Sequence, residues 1–485
     1  LEMEIMTFGF NFETTYRQLS PHFYTETEPE KSSSPEMLLF NTGLALSLGL
    51  EASALNSPEG AEVLSGNKIV GETPIAMAYA GHQFGSFTRL GDGRAVLLGE
   101  HVHAGQRYDI QLKGSGRTKY SRSGDGRAPL GPMLREYVVS EAMHALRIPT
   151  TRSLAVTLTG DTVRRETMQK SAVLTRVASS HLRAGTFQYA IIESEEAAKE
   201  LADYAIERHY PDFADKENKY ELFLEAVVHA QSYLIAKWQS IGFIHGVMNT
   251  DNMAISGETI DYGPCAFMDY YDPKTVYSSI DVQGRYQFRN QPGIAQWNLA
   301  KFAETLLPLL NENQEKAIEI AQEKLDNYKD LYQAYWLSDM VNKIGIPTPE
   351  ESDVALVLDL LEIMEEEALD YTSTFRALSL GNIESIKVKD EEKLNGWLSR
   401  WKSALGEKDQ SLEDAHMLMI NTNPAVIPRN HLVEEALFYA EKTDDLSKVK
   451  KLVEVLETPF DDSHDEYYKR PPNEEEMIRN TFCGT

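Results

Sequence analysis

Four groups of residues in this 485-residue chain have the types and the order that phosphate chemistry requires. A glycine turn, Leu90-Gly91-Asp92-Gly93-Arg94, stands between two short apolar runs. Lys113 ends the alternating stretch Tyr108 to Leu112, and Glu136 follows inside a helix-forming segment. His245 opens the run His245-Gly246-Val247-Met248-Asn249-Thr250-Asp251-Asn252, and Asp261-Tyr262-Gly263 begins nine residues after Asn252. Each part has a physical task. Glycine lets backbone N–H groups come close to phosphate oxygens, a lysine held by a carboxylate neutralises them, and Asn252 with Asp261 offers two oxygen ligands to a divalent ion. Taken singly, each residue has a plainer reading: a solvated lysine at a strand end, or an aspartate stabilising a turn. Their order makes them a set. Five bases, Lys113, Arg117, Lys119, Arg122 and Arg127, also fall within fifteen residues that contain one acid. In a chain with a net charge of -28, that is a local exception suited to polyphosphate.

The elements that must position these groups follow from periodicity. Residues 76 to 102 read as strand, glycine turn, strand; the run Arg94 to Gly99 is too short for a helix and ends at glycine. A further strand covers Tyr108 to Leu112. A helix is predicted from Met133 to Leu146, with Leu134, Val138, Ala142 and Ala145 on one face, Pro132 at its start and Pro149 beyond its end. Residues 194 to 240 read as helical, ending in a segment with Phe223, Val227, Ala230, Leu234 and Trp238 at helical spacing. After the His245 run, Met253 and Ile255 lead through a Ser256-Gly257 turn to Ile260, which predicts a tight hairpin presenting Asp261. Residues 21 to 36 read as surface coil and 41 to 50 as a short helix. Beyond Asn290 the chain is almost entirely amphipathic and acidic helix, and the last 27 residues are polar and expected to drape over the surface.

The order of these parts resembles the protein-kinase signature, with one departure. The position of the kinase base holds Val247, which cannot accept a proton. Asp251 is the nearest carboxylate able to substitute. Four longer strings, YAGHQFGSFTRLGDGRAVLLGE, DIQLKGSGRTKYSRSGDGRAPLGPMLREYVVSEAMHAL, VLTRVASSHLRAGTFQ and HGVMNTDNMAISGETIDYGPCAFMD, resemble the SelO family of protein adenylyltransferases, once classed as pseudokinases. The likeness is densest between Phe8 and Asp272. It implies an α+β chain with a protein-kinase-like two-lobed fold and a large C-terminal helical extension. The corresponding division is 1–75 as a bracing segment, 76–190 as the first lobe, 191–290 as the second, and 291–485 as extension and tail. The resemblance further implies ATP bound in reverse relative to kinases, with its outer phosphates deep among basic residues. Carried over motif by motif, Gly91, Gly93, Arg94, Lys113, Asp125, Gly126, Arg176, Arg183 and Asp261 would contact the nucleotide, and Glu136 would support Lys113. Asp251 would be the base, and Asn252 and Asp261 would bind Mg²⁺ or Mn²⁺. In that family the C-terminal cysteine position can hold selenocysteine, and the group is linked to redox control, so a reversible Cys265–Cys483 disulfide is a further expectation.

Transfer of AMP from ATP to Ser, Thr or Tyr hydroxyls of other proteins is the expected activity. UMP transfer from UTP and a non-catalytic ATP-binding scaffold are the alternatives; Val247 speaks against an ordinary kinase. Bulk properties narrow the setting. With 75 acids against 47 bases, electrostatic binding of nucleic acid is not expected. Two cysteines are too few for a secreted disulfide framework. No apolar run approaches a bilayer span, and the first residues lack the basic-then-apolar pattern of a signal peptide. A cytoplasmic monomer, with no membrane partner, is the resulting expectation.

Overall fold

The computed structural model describes residues 8–482. Their first ten strands are β1 (Phe12–Glu13), β2 (Tyr24–Glu26), β3 (Glu36–Phe40), β4 (Ile75–Met77), β5 (Ala80–Gln83), β6 (Ser86–Arg89), β7 (Ala95–His103), β8 (Gln106–Lys113), β9 (Arg152–Arg164) and β10 (Met168–Ala178). Eight of these join one antiparallel sheet in the order β2-β4-β7-β8-β10-β9-β3, with β1 against β7. β5 and β6 pair only with each other, as a separate hairpin.

Strand alternation gives the central part of the sheet two different faces. On β8, Ile110 and Leu112 point into an apolar core shared with Leu44, Leu64, Val96 and Val173. Asp109, Gln111 and Lys113 point the other way and are nonetheless buried. Buried polar groups need partners, and those partners come from helices. Before the sheet closes, the chain forms α1 (Thr42–Ser47), α2 (Ala52–Leu55) and α3 (Pro58–Leu64), which cover the apolar face. Next come α4 (Leu130–Ala145), α5 (Ala184–Glu193), α6 (Glu195–His209), α7 (Lys219–Ile241), α8 (Gln291–Leu310) and α9 (Gln314–Asn342). α5 to α9 pack together around Phe187, Phe223, Leu234 and Phe302. A second apolar core in the later helices holds Val341, Leu356, Trp397 and Trp401. Mixed helix and sheet, with helix dominating beyond residue 290, agrees with the α+β reading.

Three local readings need correction. Residues 253–260 do not form a hairpin. Ala254 bridges Arg183 and Thr259 bridges Thr150, so the backbone here pairs with distant segments, although a turn does close from Ala254 to Gly257. Residues 21–36 are not all coil, because β2 pairs with β4. Between β4 and β7 the chain makes an additional hairpin where a single strand and turn were expected.

The second core contains a group that penalises folding. Lys343, at the end of α9, is 3 % exposed, and its ammonium stands 4.2 Å from the Phe375 ring centroid and 5.3 Å from that of Tyr371. Burial pushes its pKa from the ordinary 10.5 down to about 7, with Asp339 pulling the other way. Burial outweighs the two ring contacts, which favour the charged form. Between these two values the unfolded chain holds a proton that the folded chain has shed, so stability rises with pH across that window. Lys343→Met keeps the volume and removes the charge. It is expected to stabilise the protein at pH 7 by an amount on the order of a few kcal/mol. Thermal melts at pH 7 and pH 9 check this: the variant should melt higher at pH 7, and its advantage should shrink at pH 9.

Candidate active site

Three remote segments meet on the polar face of the sheet. β8 and β10 are neighbours, with Arg176 directly opposite Gln111 and Leu174 opposite Lys113. Residues two apart on a strand share a face, so Gln111, Lys113 and Arg176 project together. Arg176 Nη2 donates to Gln111 Oε1 at 2.6 Å. α4 crosses this face and supplies Glu136, whose Oε2 accepts from Lys113 Nζ at 2.6 Å and whose Oε1 accepts from Arg176 Nη1 at 3.1 Å.

Asp261 completes the cluster from the loop after residue 260. Its Oδ1 accepts from Lys113 Nζ at 2.8 Å and from Arg176 Nη1 at 2.6 Å, and its Oδ2 accepts from Arg183 Nη1 at 2.8 Å. Burial would raise its pKa, but Lys113, Arg176 and Arg183 more than offset that and hold the carboxyl well below the usual carboxylate range. The backbone of Asp261 lies at φ +62°, a left-handed conformation that costs a non-glycine residue energy and is concentrated at functional sites. Lys113, Arg176 and Arg183 thus face Glu136 and Asp261, and Asp92, whose Oδ2 accepts from Gln111 Nε2 at 3.3 Å, adds a third buried carboxylate beside them. Every member's side chain is at least four-fifths buried. Three cations gathered at low solvent exposure can take an anion such as phosphate as a further partner.

The loop carrying Asp251 is tied to the same cluster. His245 stacks on Trp238 of α7 with ring centroids 5.4 Å apart. Its Nε2 donates to the carbonyl of Ile260 at 2.8 Å, and its Nδ1 accepts the Val247 N–H at 3.3 Å. This fixes the ring tautomer and connects the loop to the residue before Asp261. Arg183 donates to the Asp251 carbonyl at 2.9 Å while its guanidinium lies 4.6 Å from the Tyr79 ring centroid. Close packing is required here: a Cβ on Gly185 would stand 2.0 Å from the Ala80 carbonyl oxygen. Asp251 is 6 % exposed, and burial pushes its pKa up to about 6 against the pull of Arg183. A carboxylate raised in this way is a better proton acceptor than one in water. Asn252 Nδ2 donates to the Val247 carbonyl at 2.9 Å, which orients its amide.

Gly93, Arg94, Lys113, Arg176, Arg183, Asp251, Asn252 and Asp261 all line one cleft of about 250 Å³. Glu136 lies beneath it. Gly91, Asp125 and Gly126 are not on its wall. Gly91 sits under the Tyr120 ring, and the Asp125 carboxylate holds Arg165 at 2.7 Å on the outside. Of the five clustered bases only Lys113 reaches the cleft. Arg117 binds the Gly124 carbonyl, Arg122 the Arg89 carbonyl and Arg127 the Lys31 carbonyl, so most of that charge run ties down its own loop and its neighbours. A larger hollow of about 1180 Å³ lies behind α4, against β3 and the helix Ser447–Leu456. There Glu141 is already held by Arg152 at 2.7 Å, and the groups able to do phosphate chemistry converge in the smaller cleft.

The helical extension holds α4 from behind. Arg135, next to Glu136, donates to Glu434 Oε1 at 2.5 Å, to Asn430 Oδ1 at 2.7 Å and to the Cys265 carbonyl at 2.6 Å. Thus one residue links α4, the helix Asn430–Thr443 and the segment that follows Asp261-Tyr262-Gly263. Cys265 itself is fully buried, and burial pushes its thiol up to about 11. Thr481 Oγ1 donates to the Pro264 carbonyl at 2.5 Å, which brings residue 481 to the same segment. Cys483, the partner expected for Cys265, lies outside the described residues.

Asn252 and Asp261 offer hard oxygen donors in one cleft, which suits Mg²⁺ or Mn²⁺ completed by phosphate oxygens and water. Among the described residues, no group of three or more His, Cys, Asp or Glu is gathered as a metal site of its own. Gln111, Tyr79, Gln83 and Asn249 also belong to the site and were not singled out from sequence. Only Gln111 had a readable signal, its two-residue offset from Lys113.

Buried cations, hard oxygen donors and an adjacent carboxylate in one cleft are groups that a nucleotidyl-transfer centre can use. The chain belongs to the SelO family: the family model described as "Protein adenylyltransferase SelO" matches residues 6–457. It is similar to the protein nucleotidyltransferase YdiU of Geobacillus kaustophilus, 55% identical over 485 residues that cover 99% of this chain and 100% of the relative. It is likewise similar to YdiU proteins of Clostridium perfringens, 54% identical over 481 residues, and of Halalkalibacterium halodurans, 53% identical over 482 residues; each alignment covers 98% of both chains. The chain is therefore a nucleotidyltransferase-family enzyme. Among the described residues, no helix is long and apolar enough to cross a membrane.

Proposed function

We infer that this protein transfers AMP from ATP to Ser, Thr or Tyr hydroxyls of other proteins and releases pyrophosphate. The observation that carries the reading is the buried cluster of Lys113, Arg176 and Arg183, which shares one cleft with Asp251 and Asn252. A triphosphate is drawn by its most charged end, so the γ and β phosphates settle against these cations. The α-phosphorus then lies nearer Asp251. The same parts, a strand lysine, a helix glutamate, a histidine-led loop and an Asp-Tyr-Gly turn, support a protein-kinase-like arrangement in which the nucleotide is reversed.

The chemistry follows from placement. The acceptor hydroxyl gives its proton to the Asp251 carboxylate as its oxygen bonds to the α-phosphorus. The bond from that phosphorus to the bridging oxygen breaks, and pyrophosphate leaves against Lys113, Arg176 and Arg183. Val247, in the place of the usual kinase base, takes no part in proton transfer. A divalent ion held by Asn252 and Asp261 would neutralise charge on the departing oxygens. Glu136 keeps Lys113 directed at the phosphates.

Intact-mass measurement of an acceptor protein after incubation with ATP and Mg²⁺ or Mn²⁺ tests this. Addition of AMP is expected. Addition of a phosphate, or of UMP alone when UTP is supplied, would overturn the assignment.

A further inference from the structure

The β5–β6 hairpin is fastened to the catalytic loop residue by residue. The His82 N–H donates to Thr250 Oγ1 at 2.7 Å, Gln83 Nε2 donates to Asp251 Oδ2 at 3.3 Å, and the Phe84 N–H donates to Asn249 Oδ1 at 3.1 Å. Gln188 on α5 locks the first of these contacts. Its Oε1 accepts from Thr250 Oγ1 at 2.6 Å and its Nε2 donates to His82 Nδ1 at 2.8 Å. Tyr286 OH secures the last by donating to Asn249 Oδ1 at 2.7 Å.

Between these two anchors the hairpin meets the Asp251 carboxylate on two sides. Gln83 occupies one lone pair of Oδ2. Gly81 lies over Oδ1, which is buried and has no hydrogen-bond partner; a Cβ on Gly81 would stand 2.2 Å from it. No side chain other than hydrogen fits at residue 81 without moving the carboxylate. A carboxylate on a short side chain has a freely turning plane unless something fixes it. Here the amide of Gln83 holds one oxygen and the Gly81 backbone limits the other, in a carboxylate that lines the same cleft as Gln83.

We propose that Gln83 is a positioning residue for the general base, and that the β5–β6 hairpin is the strap that sets the plane of the Asp251 carboxylate. This rests on the reading of Asp251 as the base. Gln83 acts through Asp251 and makes no proton transfer itself: the hydroxyl proton goes to Oδ2, and the amide keeps its own hydrogens.

The test compares wild type, Gln83→Leu, Asp251→Asn and the double variant by the rate at which each transfers label from α-labelled ATP to an acceptor protein. Gln83→Leu keeps the bulk and removes the donor. Its saturating rate is expected to fall about ten- to a hundredfold, the loss of a hydrogen bond to a charged group. The ATP concentration giving half-maximal rate, the affinity for a non-hydrolysable ATP analogue and the melting temperature should stay near wild type. On the Asp251→Asn background the same substitution should cost no further activity, because residues that act as a unit are not additive. Gly81→Ala provides an independent arm and should lower the rate with analogue binding retained. A Gln83→Leu rate within twofold of wild type, or an equal loss on both backgrounds, overturns the positioning role and leaves the AMP-transfer reading standing. A wild-type enzyme that transfers no α label to the acceptor overturns both.

Discussion

Asp251→Asn is expected to lower the transfer rate about a hundred- to ten-thousandfold, the range for removing a general base, while ATP still binds. The amide has nearly the same shape as the carboxylate, and the contact most at risk, from Gln83 Nε2, can turn to meet the new carbonyl oxygen. Arg183 binds the Asp251 backbone carbonyl, which the substitution does not touch. Nucleotide affinity and melting temperature should therefore change little, and only turnover should collapse. Steady-state labelling with α-labelled ATP, paired with calorimetric titration of a non-hydrolysable analogue, checks both halves. Unchanged turnover would remove Asp251 from the mechanism.

The second large effect belongs to Asp261→Asn, which should strike stability as well as turnover. Three cations, Lys113, Arg176 and Arg183, donate to this one carboxylate. Lys113 and Arg176 retain Glu136, but Arg183 loses its carboxylate partner and the cluster's net charge rises by one. Removing one partner of a buried ion pair costs about 3 kcal/mol or more. A clear fall in melting temperature is the expected result, largest without nucleotide and partly restored when ATP supplies negative charge to the cluster. Turnover should fall about a thousandfold, because a divalent ion held here would supply several kcal/mol of charge neutralisation and would lose its carboxylate ligand. An inert scaffold would show the stability change with no turnover to lose.

The legibility of the site in the sequence was uneven, for physical reasons. Lys113 was readable because strand alternation fixes the face on which it lies, and Glu136 because the following helix runs across that face. Asn252 and Asp261 were readable from their spacing around a short loop. The basic loop was not, since counting charges cannot tell a guanidinium that faces a cleft from one that binds a carbonyl, as Arg117 and Arg122 do. The supposed hairpin at 253–260 failed because its backbone bonds to the segments around Arg183 and Thr150, far away in sequence. The role of Arg135 was equally hidden: its partners Asn430 and Glu434 lie about three hundred residues downstream. Contacts of that range depend on how whole helices pack, and no local window contains them. Glycine at 81 carried no local signal either, because its reason is the Asp251 carboxylate against which it lies.

The central claim is that the triphosphate enters with its outer end against Lys113, Arg176 and Arg183 and reacts at its innermost phosphorus. Parallel incubations of the purified protein and an acceptor with ATP labelled at the α or the γ phosphate address this most directly. Label on protein from the α position only, with the γ label recovered as pyrophosphate, is the expected result. Label on protein from the γ position would contradict it.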